Sequence, residues 1–432
     1  MLEPNMRRII VLSVVVEMVL IGMLLGCVKT SPADDGSNPD GPGDLTVCQQ
    51  AVLEWNQIWT VKTEETGLTD DTPDNDLMDI WGSGPEDIYV VGFKGIILHF
   101  NGTTWTKMDS GTSENLRGVW GYVLKDQNGG VLRTDVFAAG ENGTILRFNG
   151  TTWQSQLVFF TDPTKNNIKS TVTDDISDIW GIPATGLNDE PTVIAVGANG
   201  LIVAYDKTGK TFEEMRQQVT IQHTAPNPPT TEYHRWTQDQ LNGVFGVSAS
   251  DFVAVGNTGT VLNIDSTSLS CAQVFVLGLT TNLNGVWGRG SELYAVGNEG
   301  TVIRRSSGSW STLSLDLPKT YLRSSFSVYQ EQCGAIPEGG TEADRPTTSW
   351  RVYVGWNGTL YLDHDDLLCP LDPITTNRLE AVWGTTPRSL SDRTTTTDVN
   401  GVPTTTWVCD PMEILIAGVD GTLIRLSDRE GH

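Results

Sequence analysis

Seven times the chain spells a short apolar run that ends in Gly, then two residues, then a second Gly: Gly92/Gly95, Gly140/Gly143, Gly197/Gly200, Gly256/Gly259, Gly297/Gly300, Gly355/Gly358 and Gly418/Gly421. Copies roughly 40 to 60 residues apart mark a repeat fold, in which each unit buries its apolar face only against its neighbours. The shortest copies run LNGVWGRGSELYAVGNEGTVIRRSSGSWSTL from Leu283 and LMDIWGSGPEDIYVVGFKGIILHFNGTTWTKM from Leu77. Each holds four apolar runs with period-2 alternation, β-branched and aromatic residues, and Gly/Asn/Asp punctuation, which predict strands. Four antiparallel strands per repeat make a propeller blade. The expected fold is therefore all-β, a seven-bladed propeller, with blade 1 divided into strand A over 77–82, B over 87–92, C over 96–100 and D over 103–108.

The B-to-C turn carries the second glycine of each pair: Gly95, Gly143, Gly200, Gly259, Gly300, Gly358 and Gly421. Asn142, Asn199, Asn357 and Asp420 ahead of it suit a two-residue hairpin turn with positive φ, whereas Lys94, Thr258 and Glu299 do not. A type I turn closed by a Gly bulge accommodates all seven, and both turns stay open. Either way the glycine is steric, and a bulky replacement should cost about 1–2 kcal/mol. Strand A ends in an aromatic in every copy: Trp81, Trp120, Trp180, Phe245, Trp287, Phe326 and Trp383. Rings of this size, inside an apolar run and beside a repeated Gly, are expected to wedge between blades, with a sugar-stacking row as the alternative. The last repeat ends at Leu426 without a strand D, while Leu53 to Lys62 offers Trp55, Ile58 and Trp59 ahead of the first. This N-terminal segment is expected to supply the missing strand and so close the ring, removing exposed edges.

The N-terminus has another character. Arg7 and Arg8 precede an apolar run from Ile9 to Met23, and Leu24-Leu25-Gly26-Cys27 supplies small residues for cleavage. Spanning a bilayer takes about 20 apolar residues, and this run is shorter and interrupted by Glu17, so it reads as an export signal. These residues resemble a bacterial lipoprotein signal with its lipobox. That resemblance implies a signal peptide over 1–26, lipidation of Cys27 (palmitate among the acyl chains) and, with Val28 following the cysteine, sorting to the outer membrane on its periplasmic or cell-surface side. Residues 27–47, with KTSPADDGSNPDGPGD at their centre, are too poor in apolar groups to offset the cost of ordering. They are expected to tether a propeller spanning 48–432 to the membrane.

Net charge is −25 with no block of Lys or Arg, so a phosphate backbone would be repelled and nucleic acid is not an expected partner. Five cysteines remain beyond Cys27, and none forms a C-x-x-C pair. In an oxidising compartment they suit disulfides, and the pairings proposed are Cys333 with Cys369 and Cys48 with Cys409. His99, His223, His234, His364 and His432 show no zinc spacing, and there is no nucleophile elbow or P-loop. The acidic run from Thr69 to Asp79 leaves calcium open as a ligand but lacks the loop register that holds it. No other cofactor is expected.

The repeated L-x-x-V-W-G, D-V-Y-A-V-G, x-x-G-T-I-L and x-G-x-x-W segments resemble the propeller repeats of secreted bacterial lipoproteins of myxobacterial type, BNR-like or similar to the photosystem II assembly-factor propeller. The Asp box of sialidase-type repeats survives here only as its tail, in Gly102-Thr103-Thr104-Trp105 and Gly150-Thr151-Thr152-Trp153, with Asn101 and Asn149 ahead. The Asn-Gly-Thr tripeptides at Asn101, Asn142, Asn149 and Asn357 satisfy a glycosylation sequon and are read as turns. Long A-to-B insertions in blades 2, 3, 6 and 7 would wall a groove on one face, floored by Ser83 to Glu86 of blade 1. The expected function is a non-enzymatic envelope lipoprotein whose propeller binds or assembles a protein or glycan. A carbohydrate-active hydrolase or lyase with acidic residues in the channel or groove is the alternative.

Overall fold

Each repeat folds as its punctuation dictates, into a sheet whose four strands are antiparallel and consecutive, lettered A to D from the axis outward. Blade 1 comprises Leu77–Gly84, Asp87–Gly92, Ile97–Phe100 and Trp105–Lys107. Blades 2, 4, 5 and 6 repeat the order, with A strands Leu116–Lys125, Leu241–Ser248, Leu283–Arg289 and Leu322–Glu331. Blade 3 starts at Ile176–Ile182 and blade 7 at Leu379–Gly384. The A strands pack side by side in chain order, and the seventh returns to the first. The computed structural model divides the chain into two units, Met1–Thr46 and Val47–His432. It describes residues 57–60, 66, 68, 75–221, 230–315, 317, 319–331, 347–364, 367–371, 373–384, 393–397, 403–407 and 413–427. The signal, Cys27, the tether, Cys48, Cys333 and Cys409 lie outside them.

The ring is sealed by chain exchange between its ends. Gln57–Thr60 pairs antiparallel with Leu423–Ser427, Ile58 opposite Leu426 and Trp59 opposite Arg425, and is strand D of blade 7. The N-terminal segment thus covers the edge that the C-terminal repeat would leave open.

The B-to-C turns take the first of the two forms left open, the hairpin turn with positive φ. In all seven, φ is positive at both central residues, 53–59° at the first and 65–73° at the glycine. In blade 1 the Ile96 N–H closes the turn on the Phe93 carbonyl at 3.1 Å. This is the type I′ turn, whose twist matches that of the flanking strands. Lys94, Thr258 and Glu299 adopt it too. The strain at Lys94 and Thr258 is offset by the next blade, where Asn115 and Asn282 accept their N–H groups at 2.9 and 3.0 Å.

The spacing of the two glycines follows from the same turn. A Cβ on Gly92 would collide with the Asp76 carbonyl just ahead of its own strand A, and one on Gly95 with the Thr112 carbonyl leading into the next blade. Gly355 and Gly358 stand likewise against Tyr321 and Thr375. One glycine of each pair lets the turn close onto its own blade, the other onto its neighbour.

The D-to-A insertion after blade 2 has an unforeseen use. Val158–Asp162 and Ile168–Thr171 form a hairpin, and the first of them runs parallel to Thr211–Glu214, extending blade 3 to six strands. The insertion after blade 3 forms a separate hairpin from Gln217–Ile221 and Thr230–His234. In the turns after strand C of blades 1 and 2, Asn101 and Asn149 accept the N–H groups two and three residues on. Such Asx turns account for these tripeptides without a sugar.

Candidate functional site

Strand A of every blade presents its residues in the same sequence along the axis, so the sevenfold repeat builds rings of like side chains around a cavity of about 1420 Å³. At the B–C end lie polar groups, among them Arg117, Asn242, Asn284, Arg323 and Glu380. The next ring is small, with Gly285, Ser324 and Ala381, and carries two carboxylates, Asp79 and Asp178. Above it run Ile80, Val119, Ile179, Val244, Val286 and Val382, interrupted by Ser325. The strand-end aromatics form the last ring, and all of them except Trp120 line the cavity.

These aromatics do two things at once. Trp383 lies over Gly82, Trp81 over Gly121 and Trp120 over Gly181, each with ring atoms 2.6–2.8 Å from where a Cβ on that glycine would stand. The Trp180 indole N–H donates to the Gly246 carbonyl at 3.1 Å. At these three seams the ring of one blade fills the space left open by the glycine of the next, whereas over Gly246 and Gly288 the nearest side chains are Phe252 and Leu293 of the same blade. Around the ring Trp180 meets Phe245 at 4.6 Å and Trp287 meets Phe326 at 4.5 Å between centroids. Trp180, Trp287 and Trp383 nevertheless stay half-buried, with their remaining surface toward the cavity. Wedge and lining are the same residues.

The two axial carboxylates clamp backbone across blade boundaries. Asp79 accepts the N–H of Ile80 at 2.8 Å and of Val119 in blade 2 at 2.7 Å, while Asp178 accepts those of Ile179 at 2.7 Å and Val244 in blade 4 at 2.8 Å. Removal from bulk water and the neighbouring Asp178 charge hold the Asp79 carboxyl well above the usual carboxylate range. Burial pushes Asp178 up to about 7 against its two backbone bonds. Nothing in the sequence reading singled these two out as a pair. The signal was present: at the third position of the L-x-x-aliphatic-aromatic run, the other five copies have Gly, Ser or Ala.

At its A–B end the cavity opens outward over blade 1. Ser83, Gly84, Pro85 and Glu86 line it there, and Val123, Lys125, Val131 and Thr134 of the long blade 2 hairpin rise beside them. That wall is braced from behind. Arg133 donates to the Asp189 carbonyl at 2.7 Å and to Glu190 at 3.2 Å, tying the blade 2 hairpin to the blade 3 insertion. Glu190 also receives Arg147 at 2.9 Å and Lys210 at 3.1 Å. Along the crest Val131, Leu132 and Leu187 are exposed. On the floor the Ser83 hydroxyl donates to Asp87 at 2.6 Å, and His99 Nε2 bonds the other oxygen of the same carboxylate at 2.8 Å. Burial acts to raise the Asp87 carboxyl, but the His99 and Ser83 bonds outweigh it and leave it lowered. On the far side the blade 6 hairpin stays paired as far as Glu331 opposite Thr347, and the blade 7 insertion contains paired strands Arg393–Thr397 and Pro403–Trp407.

Other residues of interest stand apart from this groove. His234 pairs with Glu232 at 3.1 Å on the surface of its hairpin. His223, His432 and residues 69–74 of the acidic run lie outside the described residues. Among the described residues no group of three His, Cys, Asp or Glu side chains is placed to hold a metal ion. Cys369 is fully buried in strand D of blade 6 and is engaged in a disulfide. Cys271 is a free thiol, and burial pushes its pKa up to about 12.

The fold and channel define a closed seven-bladed β-propeller with a groove on its A–B face. No family model matches the chain, and no curated protein is similar to it. Among solved structures it is similar to the RRP9 WD40 repeats at 8% identity, with 86% of this chain and 97% of that one covered and a TM-score of 0.50. It is also similar to YCF48 from Cyanidioschyzon merolae at 12% identity (85% and 98% covered, TM-score 0.49) and to YCF48 bound to D1 peptide at 12% identity (86% and 94% covered, TM-score 0.48). At such identities the likeness is one of fold alone.

Proposed function

We propose that this protein is a non-enzymatic envelope lipoprotein, held at the outer membrane through Cys27 and the 27–47 tether, whose propeller binds a protein or glycan partner in the groove over blade 1. The observation that carries this reading is the groove itself: a cavity continuous with the axial channel, floored by the short blade 1 loop and bordered by a hairpin braced on blade 3. Exposed Val131, Leu132 and Leu187 on the crest favour a protein partner, because apolar side chains held out by a rigid wall gain by burial against another chain. Cross-linking of envelopes, followed by recovery of the propeller, tests it. A partner should be captured by the native chain and lost with Leu132→Asp and Lys125→Glu, while far-UV spectra stay unchanged. Capture that survives both changes would count against the groove.

Asp79 and Asp178 are the observation that favours the second reading, a carbohydrate-active hydrolase, since a raised carboxyl pKa is what a general acid needs. Turnover of an envelope polysaccharide, abolished by Asp178→Asn, would reverse the ranking.

A further inference from the structure

The A strands of blades 1 and 2 begin at the equivalent Leu77 and Leu116, but blade 1 turns back after Gly84, the counterpart of Val123, whereas blade 2 continues to Lys125. Strand A is the terminal strand of its sheet and is paired on one side only. In an antiparallel ladder the backbone N–H and C=O of alternate residues point away from the partner strand. Two bonds fix which residues these are in blade 2. The Val119 N–H leaves the ladder to reach Asp79 in blade 1 at 2.7 Å, while the Asp126 N–H faces strand B and closes on the Gly130 carbonyl at 2.8 Å. Val119, Gly121, Val123 and Lys125 therefore turn their main-chain groups outward. Lower down this edge is covered, since Asp79 takes the Val119 N–H and the Trp81 ring lies over Gly121. Above, where the blade 1 strand ends, Val123 and Lys125 line the cavity.

We infer that an extended segment of a protein partner adds to this edge as a further strand, lying over the short blade 1 loop. This rests on the proposed binding function and names the form the partner takes in that groove. Val123 and Lys125 each offer one donor and one acceptor, spaced as alternate strand residues are, about 6.6–6.8 Å, and another main chain in strand conformation matches that repeat. Side chains of the added strand opposite these two residues point the same way as they do, into the groove. The one opposite half-buried Val123 is apolar. The one opposite Lys125 is acidic, because Lys125 is exposed and makes no ion pair among the described residues. The same lysine discourages a wholly apolar strand from pairing here. Arg133, bonded to Asp189 and Glu190, holds the hairpin that carries the edge, so the template stands before the partner arrives.

The test titrates the full chain by calorimetry with the peptide acetyl-GSETVTESG-amide, whose central Val has a Glu two residues away on either side and so fits in either direction. Two analogues are N-methylated on alternate residues, one on Val and both Glu, the other on both Thr. The parent should bind, and one analogue should lose affinity by on the order of tenfold or more while the other binds like the parent, because only alternate N–H groups face the edge. Exchanging both Glu for Lys in the peptide should weaken it, and Lys125→Glu should reverse that preference. Val123→Pro should abolish binding with little change in melting temperature, since the N–H it removes lies off the ladder. If that variant is less stable, the N-methylated pair, which leaves the chain unaltered, decides. No binding of the parent, equal binding of the two analogues, or binding untouched by a folded Val123→Pro chain would overturn strand addition. Displacement of the peptide by maltohexaose would assign the groove to a glycan and overturn it too. An envelope partner cross-linked alike by the native and Val123→Pro chains would sink this inference and leave the proposed function standing. A native chain that binds the peptide through alternate N–H groups but cross-links no partner would do the reverse.

Discussion

The indole of Trp383, in the last blade, lies over Gly82, in the first, with ring atoms 2.7 Å from where a Cβ at Gly82 would stand. Residues 301 positions apart in the chain thus complete the same aromatic-on-glycine seam that Trp81 and Gly121 make between neighbours. Closure of the ring therefore uses the ordinary blade contact, repeated once more.

Trp383→Ala should consequently cost about 3 kcal/mol, the low end for a truncated Trp because the ring is only half-buried. Urea unfolding measures it. Gly82→Val, which pushes the ring out, should be comparably harmful, and the double variant should cost less than the sum, since both changes act on one contact.

Deleting residues 48–62 removes the strand that pairs with Leu423–Ser427. A bare edge lined by Leu423, Ile424 and Leu426 would then be exposed, so a lower melting temperature and concentration-dependent light scattering are expected. An unchanged melting temperature would show that blade 7 does not need its clasp.

Thr258 is a β-branched residue held at φ 56°. Thr258→Asn keeps the N–H that Asn282 accepts and relieves the strain, so it should stabilise by about 0.5–1 kcal/mol. Gly358→Ala should do the reverse by about 2 kcal/mol or more, because φ is 68° and the added Cβ runs into the Thr375 carbonyl. Thermal unfolding of the two variants side by side gives the signs.

The folded chain holds a proton on Asp178 more tightly than the unfolded chain does, since burial pushes its pKa up to about 7 from the ordinary value near 3.8. The stability it contributes is present below that ordinary value and is lost as pH rises toward 7. Asp174, lowered to about 2 chiefly by its Arg235 hydrogen bond, acts with the opposite sign and loses its contribution as pH falls below about 4. Denaturation between pH 4 and 8 should show the native chain losing stability relative to Asp178→Asn across that window. Parallel curves would refute the assignment.

Much of this architecture is legible along the chain because it is local. The Gly-x-x-Gly pairs mark all seven turns, but the choice between the two turn types is not legible along the chain: Lys94 and Glu299 sit in a conformation that their own preferences disfavour, and at Lys94 the stabilising bond comes from Asn115 in the next blade. The N-terminal strand was foreseen from a missing strand D. The six-stranded blade 3 was not, since nothing in Val158–Asp162 signals that its partner would be Thr211–Glu214 in the following repeat.

By itself the sequence determined the number of blades, the strands in each, the steric turns and the chain end that closes the ring, because period-2 burial, positive φ and a missing strand are properties of neighbouring residues. Only the tertiary structure decided that Asp79 and Asp178, drawn from blades 1 and 3, share one cavity ringed by half-exposed tryptophans. Ring closure brings the same strand position of every repeat to the axis, where residues of different blades meet whatever their separation along the chain.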